Sequence, residues 1–258
     1  MNLALPFDAL AGDYDRSFTM STIGRHMRAA VWRRLDAVFQ PGDRVLELNC
    51  GSGEDAMHLA RRGVRVVATD SSPCMLDKAR EKLARAGLTA MVDFEQLAIE
   101  DLSSVRPRGF DGVLSNFGGL NCVEDLAAVG CGAAAVSRPG GRAMLCVMGP
   151  AVPWEWAWYL GHGKPGKAVR RLRRGGVNWR GLTIRYPAIG TVRRAFAPGF
   201  VQRRVSAVGA LVPPPYTQAW AERHPGLLAG LAWLERQTEA IPPLPWLADH
   251  YLIELERL

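Results

Sequence analysis

The sequence predicts an α/β protein built on a doubly wound, mostly parallel sheet with helices on both faces. First, a short apolar run at residues 45–48 breaks at Gly51-Ser52-Gly53 and is followed by apolar residues at helical spacing. Second, another apolar run starts at residue 65 and ends in Asp70. Third, strand-like and helix-like segments keep alternating to residue 148. A strand, a tight glycine turn, a helix and a second strand form a βαβ unit.

The glycine turn at residues 51–53 marks a candidate ligand site. Glycines let a ligand approach the backbone, and the free N–H groups at the start of the next helix favour an anionic group. Asp70 follows the glycines at about the separation of 20 residues expected for an acid that binds ribose hydroxyls. The spacing of Gly51, Gly53 and Ala56 also fits the looser dinucleotide fingerprint, and a purely structural turn stays open.

The wider string, residues 45–53 with residues 69–76, resembles motifs I and II of the class I S-adenosylmethionine-dependent methyltransferases. Three features carry the resemblance: Glu47 inside the first strand, the serine pair after Asp70, and the Met75-Leu76 pair. The family implies a seven-stranded sheet, S-adenosylmethionine as cofactor and methyl transfer as the reaction.

The resemblance also implies cofactor contacts. Glu47 would orient the turn or the methionine amine, and Asp70 would accept from both ribose hydroxyls in a charge-assisted pair. Asn49 stands where many relatives have glycine, which implies either a permitted backbone angle or a side-chain contact. The candidate cofactor-binding residues are Tyr14, Glu47, Asn49, Gly51, Gly53, Asp70, Ser71, Met75, Ile99, Glu100 and Asn116.

Residues 1–40 are expected to form an N-terminal helical lid. Their opening segment around Tyr14 is similar to that of the family, in which a tyrosine reaches the methionine end of the cofactor. Residues 20–39 predict a helix with a broken apolar stripe, and its arginines are expected to form a solvated face.

Beyond Asp70, residues 75–86 predict a helix that ends at Gly87, and residues 90–97 predict the third strand. In the family, the next loop holds the adenine ring, with an aspartate accepting from its amino group. Ala98 occupies that position here, so Ile99 is left to sandwich the ring and Glu100 or Asp101 to supply the polar contact.

Residues 110–117 predict the fourth strand, placed beside the first in the doubly wound order. Asn116 and Phe117 would then lie in the crevice where such sheets bind ligands. Asn116 resembles the asparagine of enzymes that methylate amino groups, but Asn-Phe-Gly-Gly lacks the family's prolines, which disfavours a nucleic-acid acceptor. Residues 125–137 predict a helix, 138–141 a turn and 142–148 the fifth strand.

Residues 150–200 predict an acceptor-side insertion. Trp154 and Trp158 would share one helical face, with Trp156 off it. That face either packs onto the sheet, or roofs an apolar acceptor pocket or rests on a membrane surface. The basic run at residues 164–174 is expected to be a solvated helix face, with contact to phosphate or anionic lipid as alternatives.

Residues 182–186 predict a short extra strand, 201–212 a long strand, 227–238 a helix and 251–257 a terminal strand. The last two strands with the helix between them resemble the family's reversed C-terminal hairpin, which ordinary dinucleotide-binding domains lack. The whole chain, residues 1–258, is therefore predicted to be one domain.

Composition limits the alternatives. Hydrophobic residues make up 48% and charged residues 22%, which is typical of a globular chain. The five cysteines include no Cys-x-x-Cys pair, so neither a disulfide framework nor a metal site is expected, and the thiols are expected in the core. Because no signal peptide or long apolar run is visible, we expect a cytoplasmic protein. The net charge of +7 permits an acidic partner.

The predicted function is methyl transfer to a small-molecule acceptor, apolar or lipid-like. A non-catalytic S-adenosylmethionine-binding module and a nucleotide-dependent oxidoreductase stay open, as does peripheral contact with a membrane. A general base is needed only if the acceptor must lose a proton. His26 and His162 are the visible candidates, although a lone histidine is more often a packing or surface residue.

Overall fold

The computed structural model describes residue 8 and residues 19–106 and 108–258. The strands of its main sheet are β1 Arg44–Leu48, β2 Arg65–Asp70, β3 Val92–Gln96, β4 Phe110–Ser115, β5 Ser137–Met148, β8 Phe200–Val208 and β9 His250–Arg257, and a separate hairpin consists of β6 Val177–Trp179 and β7 Leu182–Ile184. The helices are α1 Thr22–Val38, α2 Glu54–Arg61, α3 Pro73–Arg85, α4 Leu126–Val136, α5 Pro153–Gly161, α6 Pro165–Ala168, α7 Ile189–Phe196, α8 Gln218–Arg223 and α9 Pro225–Thr238.

The main sheet has the order β3-β2-β1-β4-β5-β9-β8, which confirms the predicted doubly wound topology. The pairs β2–β3, β1–β2, β1–β4 and β4–β5 are parallel, whereas β9 runs antiparallel to both β5 and β8. The reversed C-terminal hairpin is therefore present. All parallel strands end at one edge of the sheet, and that edge is where the candidate site lies.

Helices cover both faces because successive strand residues point in opposite directions. Val45 belongs to the core layer that contains Leu35 of α1 and Leu59 of α2. Leu46 belongs to the opposite layer, which contains Val129 of α4 and residues of α7. One strand thus anchors two separate apolar layers.

The N-terminal helix α1 is part of the core rather than a loose cover. Its Ile23, Val31 and Leu35 side chains are fully buried. The expectation that its arginines form a solvated face is wrong for two of them. Arg28 is buried, and Arg34 donates from Nε and Nη2 to the buried Glu254 at 2.7 and 3.0 Å. Arginine keeps its charge when it is buried, so the paired carboxylates offset the cost of removing the guanidinium from water.

Several elements differ from the sequence-based prediction. Residues 138–141 lie within β5, as an irregularity where its register with β4 shifts, rather than in a turn before it. The long strand predicted at residues 201–212 ends at Val208. Helix α7 was not predicted, although its buried Ile189, Val192 and Phe196 follow helical spacing.

The cysteines are free thiols, but they do not all lie in the core. Cys50 and Cys146 are buried as expected, whereas Cys74 and Cys131 are exposed, which corrects the prediction for those two. In the part of the chain that the structure describes, no helix is both long and apolar enough to cross a bilayer.

Gly112 of β4 provides a test of the packing between α1 and the sheet. A Cβ at this position would overlap the Phe39 ring at the end of α1. We expect Gly112→Ala to lower the free energy of unfolding by about 1–3 kcal/mol, the usual effect of overpacking a core. Urea unfolding of the purified chain measures this change.

Gly230→Ala on α9 is the matched control, because nothing lies within 4 Å of a Cβ placed there. Alanine is the better helix former, so this variant should gain about 0.5–1 kcal/mol. Equal unfolding curves for the two variants would show that the contact between Phe39 and Gly112 does not limit stability.

Candidate active site

The turn after β1 is a left-handed backbone segment. Asn49, Gly51 and Gly53 have φ angles of 56°, 54° and 76°. Asparagine is the non-glycine residue that adopts this region most readily, which explains Asn49 at a position where the family often has glycine. Its side chain also matters, because a Cβ on Gly119 would overlap it. Of the two explanations that the sequence left open for Asn49, the permitted backbone angle applies.

Asp70 at the end of β2 connects the turn to the next strand. Its Oδ2 accepts from the Gly51 N–H at 2.9 Å, and its Oδ1 accepts from the Ser72 N–H at 2.9 Å. Burial raises the pKa of the Asp70 carboxyl, and the two backbone donors act in the opposite direction. Each carboxylate oxygen can accept a second hydrogen bond, so Asp70 can still bind a pair of hydroxyls.

A buried acid lies beneath the turn. The Glu47 side chain is 1% exposed, and its Oε2 has no hydrogen-bond partner among the described residues. Burial raises the pKa of Glu47 well above its usual value, and the nearby Asp55 carboxylate adds to the effect. An ammonium group placed near Glu47 would relieve this penalty.

The Asp55 carboxylate of α2 is compensated by three donors. Arg28 Nη1 donates to it at 2.7 Å, Trp32 Nε1 at 2.6 Å and Asn116 Nδ2 at 2.9 Å. Although burial opposes ionisation, the Arg28 guanidinium and these hydrogen bonds hold the pKa of Asp55 below its usual value. The cluster joins α1, α2 and the end of β4.

Sequence reasoning missed this cluster. The available signal was the spacing of Arg28 and Trp32, four residues apart and therefore on one helical face, together with an acid in the first turn of the helix after the glycines. The Arg28 guanidinium also lies 5.0 Å from the ring centroid of Phe117. The N-terminal helix thereby contacts the site through charge as well as through packing.

A cavity of about 620 Å³ opens at this edge of the sheet, within the size range of small-molecule sites. Its first half is polar and surrounds the turn. The lining residues there are Asn49, Gly51, Asp70, Ser71, Met75, Ala98, Ile99, Glu100 and Asn116. The sequence had selected all of these except Ala98 as cofactor-binding candidates.

The second half of the cavity is mainly apolar. It is lined by the loop after β4, by the end of β5 and by the β6–β7 hairpin with the segment after it. The residues are Phe117, Gly118, Gly119, Cys122, Met148, Arg170, Val177, Trp179, Leu182, Ile184 and Tyr186. Of these, only Phe117 had been placed at the ligand crevice from the sequence.

Two of the described candidate cofactor residues do not line the cavity. Glu47 lies under the turn. At Gly53, whose φ is 76°, a Cβ would lie 2.8 Å from the Ala79 Cβ of α3, so both the backbone angle and helix packing favour glycine here. Tyr14 lies outside the described residues.

The two histidines proposed as bases lie elsewhere. His26 is a half-buried residue of α1, and burial lowers its pKa, with a contribution from Arg25. His162 is exposed, and its ring packs 4.3 Å from that of Trp158. Neither lines the cavity. The structure therefore gives no support to either as a general base.

The tryptophans of α5 do not roof the cavity either. Trp154 Nε1 donates to the carbonyl of Ala210 at 3.0 Å, and the Trp158 ring packs against Tyr216. Neither residue nor Trp156 lines the cavity. The expected roof comes instead from Trp179 and its neighbours in the hairpin, which follow the basic run.

Part of that basic run is buried, which corrects the expectation of a solvated face. Arg170 and Arg171 donate from Nε to the two oxygens of Glu155 at 2.7 and 2.8 Å. Arg171 also donates to the carboxylate of Asp249 and to the Gly149 carbonyl, which ties α5 and the following loop to the sheet. Glu155 and Asp249 are 1% and 3% exposed.

The polar groups of the second half are donors rather than bases. Burial raises the pKa of the Tyr186 hydroxyl, so that this group stays protonated near neutral pH. Burial, with a smaller effect of Glu100, raises the pKa of the Cys122 thiol to about 11. Across residues 19–106 and 108–258, no cluster of three or more His, Cys, Asp or Glu side chains is placed to hold a metal ion.

Residues 45–141 match a protein-family model described as a methyltransferase domain. A demethylmenaquinone methyltransferase of Clavibacter sepedonicus is 34% identical over 152 residues, which cover 57% of this chain and 58% of that protein. A ubiquinone biosynthesis O-methyltransferase of Xylella fastidiosa is 38% identical over 101 residues, covering 39% of this chain and 40% of the relative.

A third relative acts on a different kind of acceptor. The tRNA 5-carboxymethoxyuridine methyltransferase of Escherichia coli is 31% identical over 139 residues, which cover 52% of this chain and 53% of that protein. The chain therefore spans about half the length of the curated relatives it matches.

A solved structure shares the fold. The S-adenosylmethionine-dependent methyltransferase from Mesorhizobium loti superposes with a TM-score of 0.55 at 21% identity, over 88% of this chain and 98% of that one.

Asp70 can be tested by calorimetry. Asp70→Ala should weaken the binding of S-adenosylmethionine by about 2 kcal/mol or more, about thirtyfold in Kd, because the ribose hydroxyls lose a charged acceptor. The Gly51 N–H loses its partner as well. Asp93→Ala on β3 is the matched control, since its side chain is exposed and does not line the cavity. A Kd for Asp70→Ala within about twofold of wild type would reject the assignment.

Glu47→Gln should remove a pH-dependent loss of stability. A carboxyl whose pKa is raised by folding makes its full contribution to the free energy of unfolding below its unfolded pKa of about 4.3. That contribution is lost as the pH rises towards the pKa of the folded protein. The amide cannot ionise, so the variant should exceed wild type in free energy of unfolding at about pH 8, with a difference that shrinks towards about pH 4. Urea titrations of the wild type and the variant between about pH 4 and about pH 8 measure the two free energies of unfolding. A constant difference between the two proteins would contradict the buried, protonated carboxyl.

Proposed function

We propose that the chain is a class I S-adenosylmethionine-dependent methyltransferase that methylates a small, largely apolar acceptor, since residues 45–141 match a family model described as a methyltransferase domain. S-adenosylmethionine is the cofactor of that family, as the sequence predicted. The observation that carries the proposal is a cavity of about 620 Å³ among the described residues, whose polar half meets an apolar half at Asn116 and Phe117.

The polar half supplies complementary groups for the cofactor. Asp70 would accept from the ribose hydroxyls, and the left-handed turn at Gly51 leaves space for close approach. Ile99 and Met75 offer apolar surface to the adenine, while Glu100 can replace the acid missing at Ala98. The unpartnered Glu47 Oε2 beneath the turn favours a cationic amine nearby.

The apolar half would position the acceptor. When bound, the cofactor supplies a methyl group already activated by its sulfonium, so alignment and exclusion of water are the main tasks of the protein. Alignment of two reactants can contribute about 7–11 kcal/mol. Val177, Trp179, Leu182 and Ile184 form a wall that favours a ring or an aliphatic chain.

The lining groups also constrain the acceptor. Tyr186 and Arg170 can donate hydrogen bonds to an acceptor oxygen, but among the described lining residues of this half none is a base near neutral pH. We therefore infer an acceptor that arrives as a nucleophile, such as an ionised phenol or enol. Arg170 would stabilise its negative charge, as would the sulfonium.

Two of the relatives support this class of acceptor by name. One is named for demethylmenaquinone and another for ubiquinone biosynthesis. The tRNA-modifying relative shows that a match at this level does not define the acceptor. The apolar wall favours the first class, because a nucleotide acceptor would leave Leu182 and Ile184 against phosphate and ribose.

Two measurements distinguish the proposed methyltransferase from the alternative functions. Calorimetry with S-adenosylmethionine and with NAD distinguishes a methyltransferase from a nucleotide-dependent oxidoreductase. Formation of S-adenosylhomocysteine with hydroxylated naphthalene and benzene carboxylates distinguishes an enzyme from a module that only binds. Tight cofactor binding with no turnover across the acceptor panel would favour the binding module.

The hairpin provides a selective prediction. Ile184→Trp should fill the acceptor half, so turnover should fall by at least about tenfold while the Kd for S-adenosylmethionine stays within about twofold of wild type. Asn178→Trp is the control, because Asn178 is exposed in the same hairpin and does not line the cavity. Equal loss of turnover in both variants would argue against an acceptor site under the hairpin.

A further inference from the structure

The insertion has a strongly asymmetric charge. Its residues 153–186, here called the cap, contain eight Lys or Arg residues and one acid, Glu155. That acid is 1% exposed and is already paired with Arg170 and Arg171. The exposed charges of the cap are therefore positive, and no exposed acid of its own opposes them.

The cap also exposes apolar side chains. Leu160, Val169 and Leu172 are 58%, 50% and 53% exposed. The exposed basic residues of the same segment are Lys164, Lys167, Arg173, Arg174 and Arg180. A surface that combines exposed aliphatic side chains with cations and lacks acids is typical of segments that lie in a bilayer interface.

The cap also lines the acceptor half of the cavity. Trp179 is 38% exposed, yet it also lines the cavity. The Arg180 guanidinium lies 5.4 Å from the Trp179 ring centroid. Tryptophan beside arginine is a frequent pair at the depth of lipid headgroups, where the ring contacts acyl chains and the cation contacts phosphate.

We propose that the cap is a docking surface for an anionic lipid bilayer and that the acceptor passes from the bilayer under the β6–β7 hairpin into the cavity. The proposal rests on the proposed function for the identity of the acceptor site, and on the cap's own charge and exposure for the docking. A nucleic-acid partner fits less well, because the exposed side chains of Leu160, Val169 and Leu172 are aliphatic and would face phosphate and ribose, which leaves Trp179 to stack on a base.

Co-sedimentation of the full chain with vesicles tests the docking. Vesicles of phosphatidylcholine with added phosphatidylglycerol should bind the protein at low salt and less at moderate salt, whereas pure phosphatidylcholine should bind weakly. Each cation near an anionic surface strengthens binding by about fivefold, so Arg173→Glu combined with Arg174→Glu should reduce partitioning by at least about tenfold. Leu172→Ser should reduce it by about threefold or more.

Arg193→Glu combined with Arg194→Glu is the matched control. These two exposed arginines lie on α7, outside the cap, and the substitution changes the net charge by the same amount. The control should stay within about twofold of wild type, since its site does not face the bilayer. Circular dichroism shows whether each variant is folded.

Three outcomes would overturn the docking proposal. The first is failure of the folded wild-type chain to bind anionic vesicles. The second is equal loss in the cap variant and the control, which would mean that net charge alone drives binding. The third is cap-dependent binding to a tRNA pool, or cap-dependent dimerisation in ultracentrifugation, without vesicle binding.

The measurement is independent of the proposed reaction. Vesicle binding is measured without cofactor, and turnover is measured separately with a detergent-dispersed acceptor. Vesicle binding without turnover would support the docking surface and count against the methyltransferase activity. Turnover without vesicle binding would support the methyltransferase activity and overturn the docking surface.

Discussion

The geometry of the candidate site depends on one carboxylate, that of Asp70, which holds the glycine turn from the neighbouring strand. Parallel pairing sets Leu48 opposite Thr69, so the end of β2 lies beside the turn that follows β1. Asp70 then accepts from the N–H groups of Gly51 and Ser72. Because the backbone there is left-handed and has few internal hydrogen bonds, this acceptor keeps the turn in a form that a ligand can approach.

The other half of the site is held by buried ion pairs rather than by a large apolar contact. Arg171 pairs with Glu155 inside the cap, and its second ion pair, with Asp249, attaches the cap to the sheet. A buried pair adds little net stability, since desolvation offsets the attraction, but loss of one partner leaves an uncompensated charge. The arrangement therefore favours one position of the cap over others. That single position is needed if the hairpin is to align an acceptor.

The sequence predicted the parallel sheet and the first half of the cavity because both depend on local patterns. Apolar runs ending at Gly51 or Asp70 identify strand ends, and strand ends meet at one edge of the sheet. The second half depends on contacts between distant segments, such as Arg171 with Asp249. A basic run looks solvated in sequence when its acidic partners lie 16 and 78 residues away. The sequence left the alternatives for the tryptophans of α5 open for the same reason, since only the fold shows that Trp154 donates to the Ala210 carbonyl.

The contact between Asn49 and Gly119 has a consequence for how this site could have evolved. A Cβ at position 119 would overlap the Asn49 side chain. The structure therefore has no room for both the asparagine at 49 and a side chain at 119. With asparagine at 49, a Cβ at 119 overlaps the Oδ1, Cγ and Cβ atoms of Asn49, and glycine at 49 would remove all three of these atoms. The order of two substitutions, Gly119→Ala and Asn49→Gly, therefore matters. If Gly119→Ala comes first, its Cβ overlaps Asn49, whereas if Asn49→Gly comes first, this overlap does not arise. Sequence pairs at these positions should be read together as one epistatic unit.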